Sequence, residues 1–89
     1  MAATNTVNLK ILTPEEVFYS NEVEMVIVEE MLGKEGYMAG HTPAMKLLKG
    51  GTVEIKEPGA AEKKYARIAG GYISVDKGIL IYTVEVKWV

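Results

Sequence analysis

The sequence predicts an all-β domain, a small antiparallel sandwich or barrel, on two observations. Val, Ile, Thr and Tyr, residues that suit a pleated half-buried surface, supply 28 of the 89 residues. Turn signals built on Pro, Gly, Asn and Asp recur at intervals of roughly 8–15 residues, the rhythm of short strands joined by tight connections.

The elements follow in order. Val7, Leu9 and Ile11 alternate with Asn8 and Lys10, the pattern of a half-buried strand. "TPEE" at 13–16 has the form of a helix start, with Thr13 as N-cap, Pro14 in the first turn and Glu16 three residues on. The apolar stripe that a core-facing helix requires is missing, because Ser20, Asn21, Glu22 and Glu24 fall on its positions. A turn at Thr13-Pro14 with a strand on each side is the better reading. Val23, Met25 and Ile27 then share one face, alternating with Glu22, Glu24 and then Val26. "HTPAMKLL" at 41–48 fits either a short helical turn or an irregular strand. Val53 and Ile55 alternate with Glu54 and Lys56 until Pro58-Gly59 marks a turn, and Tyr65 to Ala69 returns as the hairpin partner. Gly70-Gly71 opens the strand "YISV", and "DKG" turns it into "ILIYTVEVKW".

Composition narrows the function. A chain of 89 residues is one domain. With 48% hydrophobic and 25% charged residues it is ordinary globular material. The absence of cysteine removes disulfides, thiolate metal sites and thiol nucleophiles. A formal charge of −2 supplies no basic field for a nucleic-acid backbone. "MAATNTVNLK" shows no targeting pattern, and no apolar run approaches the roughly 20 residues of a membrane helix, so membrane contact is expected only through a partner. Charge is uneven along the chain. Residues 15–35 hold seven acids against the single base Lys34, while residues 46–87 hold eight bases against five acids. This describes two solvated faces, or a domain oriented by oppositely charged partners.

No catalytic constellation stands out. His41 is the only candidate base and has no nucleophile elbow beside it. A lone histidine does not make a zinc site, and Gly50-Gly51 and Gly70-Gly71 lack the context of a phosphate cradle. Glu29 and Glu30, adjacent in a strand, point to opposite faces and cannot act as a pair. No cofactor and no metal is expected. One alternative remains: Ala44-Met45-Lys46-Leu47 resembles the tetrapeptide of biotin- and lipoyl-type carrier domains, which implies modification at Lys46. Pro43 removes a backbone donor just where a regular hairpin strand would need one.

Four blocks in order produce a second, longer resemblance. "LKILTPEEVFYSNEVEMVIV" resembles the opening of the epsilon subunit family of F-type ATP synthases. "GKEGYMAGHTPAM" is similar to its glycine-rich Gly-His-x-Pro loop, with Gly33, Gly36, Gly40, His41 and Pro43 in register. "LLKGGTVEI" and "YARIAGGYISV" resemble the two blocks that follow, the second carrying the Gly-Gly pair.

The resemblance covers about residues 8–83 and implies an antiparallel β-sandwich of two five-stranded sheets, non-catalytic, in the central stalk. It implies attachment to the gamma subunit and contact with the membrane c-ring, coupling ion translocation to ATP synthesis. The loop with Lys34, Glu35, Gly40, His41 and Pro43 is expected to face the ring, and Thr13 and Lys46 the gamma subunit, with Lys46 otherwise an ordinary polar residue. The implied location is peripheral, on the cytoplasmic face of a bacterial inner membrane or in an organelle. Three departures from the family pattern stand out. Lys34 occupies the family's acidic position, with Glu35 next to it. Tyr37-Met38 replaces an aliphatic pair. The sequence stops at Val89, where the family's two-helix hairpin would follow, so the hairpin's inhibitory role is not expected of this form.

Overall fold

A computed structural model describes residues 5–89; residues 1–4, part of the stretch read for a targeting signal, lie outside the described residues. Ten strands form: β1 Val7–Leu12, β2 Val17–Val23, β3 Met25–Glu30, β4 Gly33–Tyr37, β5 Ala44–Leu48, β6 Gly51–Lys56, β7 Lys64–Ile68, β8 Gly71–Val75, β9 Ile79–Tyr82 and β10 Val86–Trp88. The described residues contain no helix.

The strands fall into two groups of five. One runs β4-β3-β6-β7-β10 and the other β5-β8-β9-β1-β2. The expected pair of five-stranded sheets is therefore recognisable. The groups are nevertheless one hydrogen-bonded network, because Glu30 of β3 pairs with Leu48 of β5 and joins them. A second departure is that β1 and β9 run parallel, in register from Leu9↔Ile79 to Leu12↔Tyr82, while the other ladders are antiparallel. Parallel neighbours need a long crossover, and residues 13–78 supply it.

Alternation explains the core. Leu9 and Ile11 on β1, Val53 and Ile55 on β6, Ile73 on β8 and Ile81 on β9 are essentially inaccessible to water. Inward residues of both groups form one hydrophobic cluster. Burying each such side chain stabilises the fold by about 1.5–3 kcal/mol before entropy is counted.

Two stretches depart from the sequence reading. Met25 and Ile27 are only half-buried, whereas Val26, Val28 and Glu30 point inward beyond Val23. The chain bends at Glu24, where it passes from one group of strands to the other. One residue outside the pleat inverts the phase of everything after it. "ILIYTVEVKW" likewise splits into β9 and β10, in opposite groups. Buried Thr83 forms the joint: its amide donates to the Leu12 carbonyl at 3.0 Å and its hydroxyl to the Glu85 carbonyl at 3.1 Å. The undecided stretch 41–48 is an irregular entry followed by a strand, β5, which pairs with β8 from Ala44↔Val75 to Leu48↔Gly71.

The turn at Thr13-Pro14 forms as expected. The Thr13 hydroxyl oxygen accepts from the Glu15 and Glu16 amides at 3.3 and 3.1 Å, the local bonding of an N-cap without the helix. Trp88 of edge strand β10 meets Phe18 and Tyr19 of edge strand β2, with ring centroids 4.8 and 5.7 Å apart. These aromatic contacts bring together the edges of the two groups.

Candidate functional site: the glycine-histidine-proline loop

The loop is built on the pleat of β4. Successive residues of a strand face opposite ways, so Lys34 and Glu35 separate rather than acting together. Lys34 reaches Glu54 of β6 at 3.6 Å. Glu35 turns inward beside Tyr37, toward the end of the sandwich where β3, β4 and β5 converge.

There Glu35 meets an ammonium and an imidazole. Its Oε1 accepts from the Lys46 ammonium at 3.0 Å, and its Oε2 lies 3.4 Å from His41 Nε2. Lys46 also stands 3.7 Å from Glu30. Glu30 and Tyr37 are both buried, and the Tyr37 hydroxyl donates to the Glu30 carboxylate. The His41 ring packs on Tyr37 at a centroid distance of 4.6 Å. Five titratable side chains thus form a single network.

The charges follow from these contacts. The hydrogen bond from Lys46 is the main reason the Glu35 carboxyl lies below the usual carboxylate range, and the same bond raises Lys46. Burial, followed by the Glu30 acceptor, pushes the Tyr37 phenol up, so it remains a donor.

The loop crown is exposed. The His41 amide donates to the Met38 carbonyl at 3.2 Å, closing a turn in which Gly40 adopts φ +84°. That left-handed conformation favours glycine. Pro43 and Thr42 are open to solvent.

The sequence assigns no site role to Glu30, Tyr37 or Leu32. Glu30 reads as one of an acidic pair, and only its burial against Tyr37 gives it a role. Leu32 is fully exposed at the β3–β4 turn, and Leu47 on β5 is 70% exposed. With Met31 they form the apolar part of a concavity of about 460 Å³ that also touches Glu35 and Lys46. Met31-Leu32 between two strands was the available signal, since paired large apolar residues are unusual at a turn.

Lys46 and Thr13, expected on one surface, line different concavities. Lys46 belongs to the Glu35 network, so it is more than a bystander beside the loop. Thr13 lines a separate groove of about 500 Å³ with Arg67, Val84 and Glu85. The carrier-domain alternative also fails on geometry. Lys46 lies within β5, paired with Ile73, and its ammonium is held by Glu35 rather than displayed at a hairpin tip. Among the described residues no three acidic, histidine or cysteine side chains converge as a metal site.

Fold and site together define an all-β module that presents an ordered polar loop beside exposed apolar side chains. The family model described as the ATP synthase Delta/Epsilon chain, beta-sandwich domain, matches residues 6–86, and the chain belongs to that family. It is 36% identical over 81 residues to the ATP synthase epsilon chain of Caldicellulosiruptor saccharolyticus, covering 90% of this chain and 58% of that one. It is 35% identical to the epsilon chain of Campylobacter fetus, covering 91% of this chain and 62% of that one. The chain therefore spans about three fifths of the length of these relatives. Among solved structures, a chain of the Euglena gracilis mitochondrial ATP synthase with its c-ring superposes with a TM-score of 0.88 at 24% identity, covering 94% of this chain and 54% of that one. A chain of the Tetrahymena thermophila central stalk and c-ring assembly superposes at 0.77 with 11% identity, covering 97% and 69% respectively. These two likenesses show the shared fold.

Proposed function

We propose that this domain is the non-catalytic β-sandwich module of an F-type ATP synthase central stalk, joining the gamma subunit to the c-ring. The family match over residues 6–86 carries the reading, because it spans the loop and the Thr13 turn together. The solved assemblies with this fold contain a c-ring, which supports the choice of partner. In this reading the module sits at the membrane surface through the complex and needs no cofactor. The face with Gly40, His41 and Pro43, flanked by Lys34 and Glu35, meets the polar loops of the ring. Thr13 and the groove beside it face gamma. Lys46 acts at the loop by holding Glu35.

A close-packed sandwich suits the transmission of torque, since its interior yields little under strain. The test is His41→Ala with Pro43→Gly, reconstituted with the remaining synthase subunits. Interface energy concentrates in few residues, so the double variant is expected to assemble weakly or to hydrolyse ATP with reduced proton pumping. Pumping and assembly equal to the parent would remove the loop from the docking surface. Purified alone, the chain is expected to turn over no nucleotide.

A further inference from the structure

Both ring nitrogens of His41 face oxygen acceptors. Nδ1 lies 2.7 Å from the Thr42 carbonyl oxygen, and Nε2 lies 3.4 Å from Glu35 Oε2. A neutral imidazole carries one N–H, so it satisfies one of these oxygens and turns a lone pair on the other; an imidazolium donates to both. Glu35 does not escape the conflict by taking a proton, because Lys46 donates to its other oxygen at 3.0 Å.

The rest of the surroundings point the same way. From β4 the imidazole is faced by Glu35 and by the Tyr37 ring, and the Tyr37 hydroxyl is committed to Glu30 of β3. From β5 the charged neighbour is Lys46, which Glu35 and Glu30 share. Two carboxylates thus stand against one ammonium, leaving room for a second cation. The segment from Met38 to Pro43 has no strand partner; its own turn is closed by the His41 amide on the Met38 carbonyl.

We infer that His41 is a proton-dependent latch: protonated, it ties the Met38–Pro43 segment to β4 through Glu35; neutral, it releases that contact and leaves Glu35 to Lys46 alone. Imidazoles ordinarily change charge between pH 5 and 8. The charged form gains the partner, so protonation closes the latch and loss of the proton opens it. If the segment docks as proposed above, the module presents an ordered loop in acid and a looser one in alkali. Only that consequence rests on the docking reading.

The test uses the purified chain, whose single histidine makes the imidazole resonances unambiguous. Their titration is followed by NMR from pH 5 to 8 in the parent, Glu35→Gln and Lys46→Gln. Glu35→Gln is expected to move the midpoint to lower pH. Lys46→Gln removes the competing cation and moves it to higher pH. Exchange of the His41 amide, corrected for its intrinsic rate, is expected to slow several-fold below the midpoint in the parent and to lose that dependence in Glu35→Gln. Identical midpoints in all three proteins, or loop exchange indifferent to the imidazole's charge, would overturn the latch. If Glu35→Gln does not fold, the sign of the Lys46→Gln shift decides. Failure here leaves the docking reading standing, since reconstitution tests that separately.

Discussion

Gly71 and Tyr82 meet backbone to backbone: a Cβ on Gly71 would lie 1.9 Å from the Tyr82 carbonyl oxygen. The contact falls where β8 and β9 pair, beside Tyr72↔Tyr82, and neither backbone can swing aside. Gly71 also has φ +139°, which L side chains rarely adopt. Gly71→Ala is expected to cost about 3 kcal/mol or more, among the larger single-site losses, read as a drop in the urea midpoint. Gly40→Ala is the control. It shares a positive φ but has open space around it, so it is expected to cost only the backbone strain of about 1–2 kcal/mol.

The buried Tyr37–Glu30 pair sets the second expectation. Tyr37→Phe leaves the Glu30 carboxylate without its phenolic donor in a buried position. The loss is expected to be about 1–3 kcal/mol at pH 7 by chemical denaturation. Adding Glu30→Met to Tyr37→Phe should restore part of it, because both polar partners are then gone. A double variant less stable than Tyr37→Phe alone would show that Glu30 is held chiefly by Lys46.

Stability in acid depends on Glu57. The Tyr19 hydroxyl donates to it at 2.6 Å, with Lys64 at 3.2 Å. The Tyr19 hydrogen bond is the largest cause of its carboxyl lying below the ordinary range. A carboxylate depressed in the folded state stabilises above its unfolded value, and that contribution disappears as pH falls through the folded value. Tyr19→Phe is therefore expected to cost about 1 kcal/mol at pH 7 and progressively less as acid protonates the Glu57 carboxyl. A cost independent of pH would show that the hydroxyl's contribution does not depend on the charge of Glu57.

Leu32 separates docking from folding. Being fully exposed, it contributes little to the core. Leu32→Ser should leave thermal stability within about 0.5 kcal/mol of the parent, as surface changes do. Binding to gamma and c-ring subunits in a pull-down is expected to fall if the apolar concavity beside the loop is part of the interface. Unchanged capture would confine docking to the loop crown.

By itself the sequence determined the strand class and most of the elements. Alternation in Val7–Ile11 and Val53–Ile55, the turn at Pro58-Gly59 and the glycine pair before "YISV" are local properties, and local geometry fixes period and turn type. The Gly-His-x-Pro loop became a candidate through its resemblance to the family's loop, since pattern alone left His41 without a role. Tertiary structure decided what depends on distant partners. The bend at Glu24 moved the buried face from Met25 and Ile27 to Val26 and Val28, and Thr83 divided one apparent strand between two groups. It set β1 parallel to β9 across some seventy residues of chain. Most consequentially for the site, it brought Lys46 to Glu35 and Glu30 to Tyr37. Periodicity states which way a side chain points from its own strand. Which charge it meets is set by strand register across the sheet, and no spacing within 33–46 encodes that.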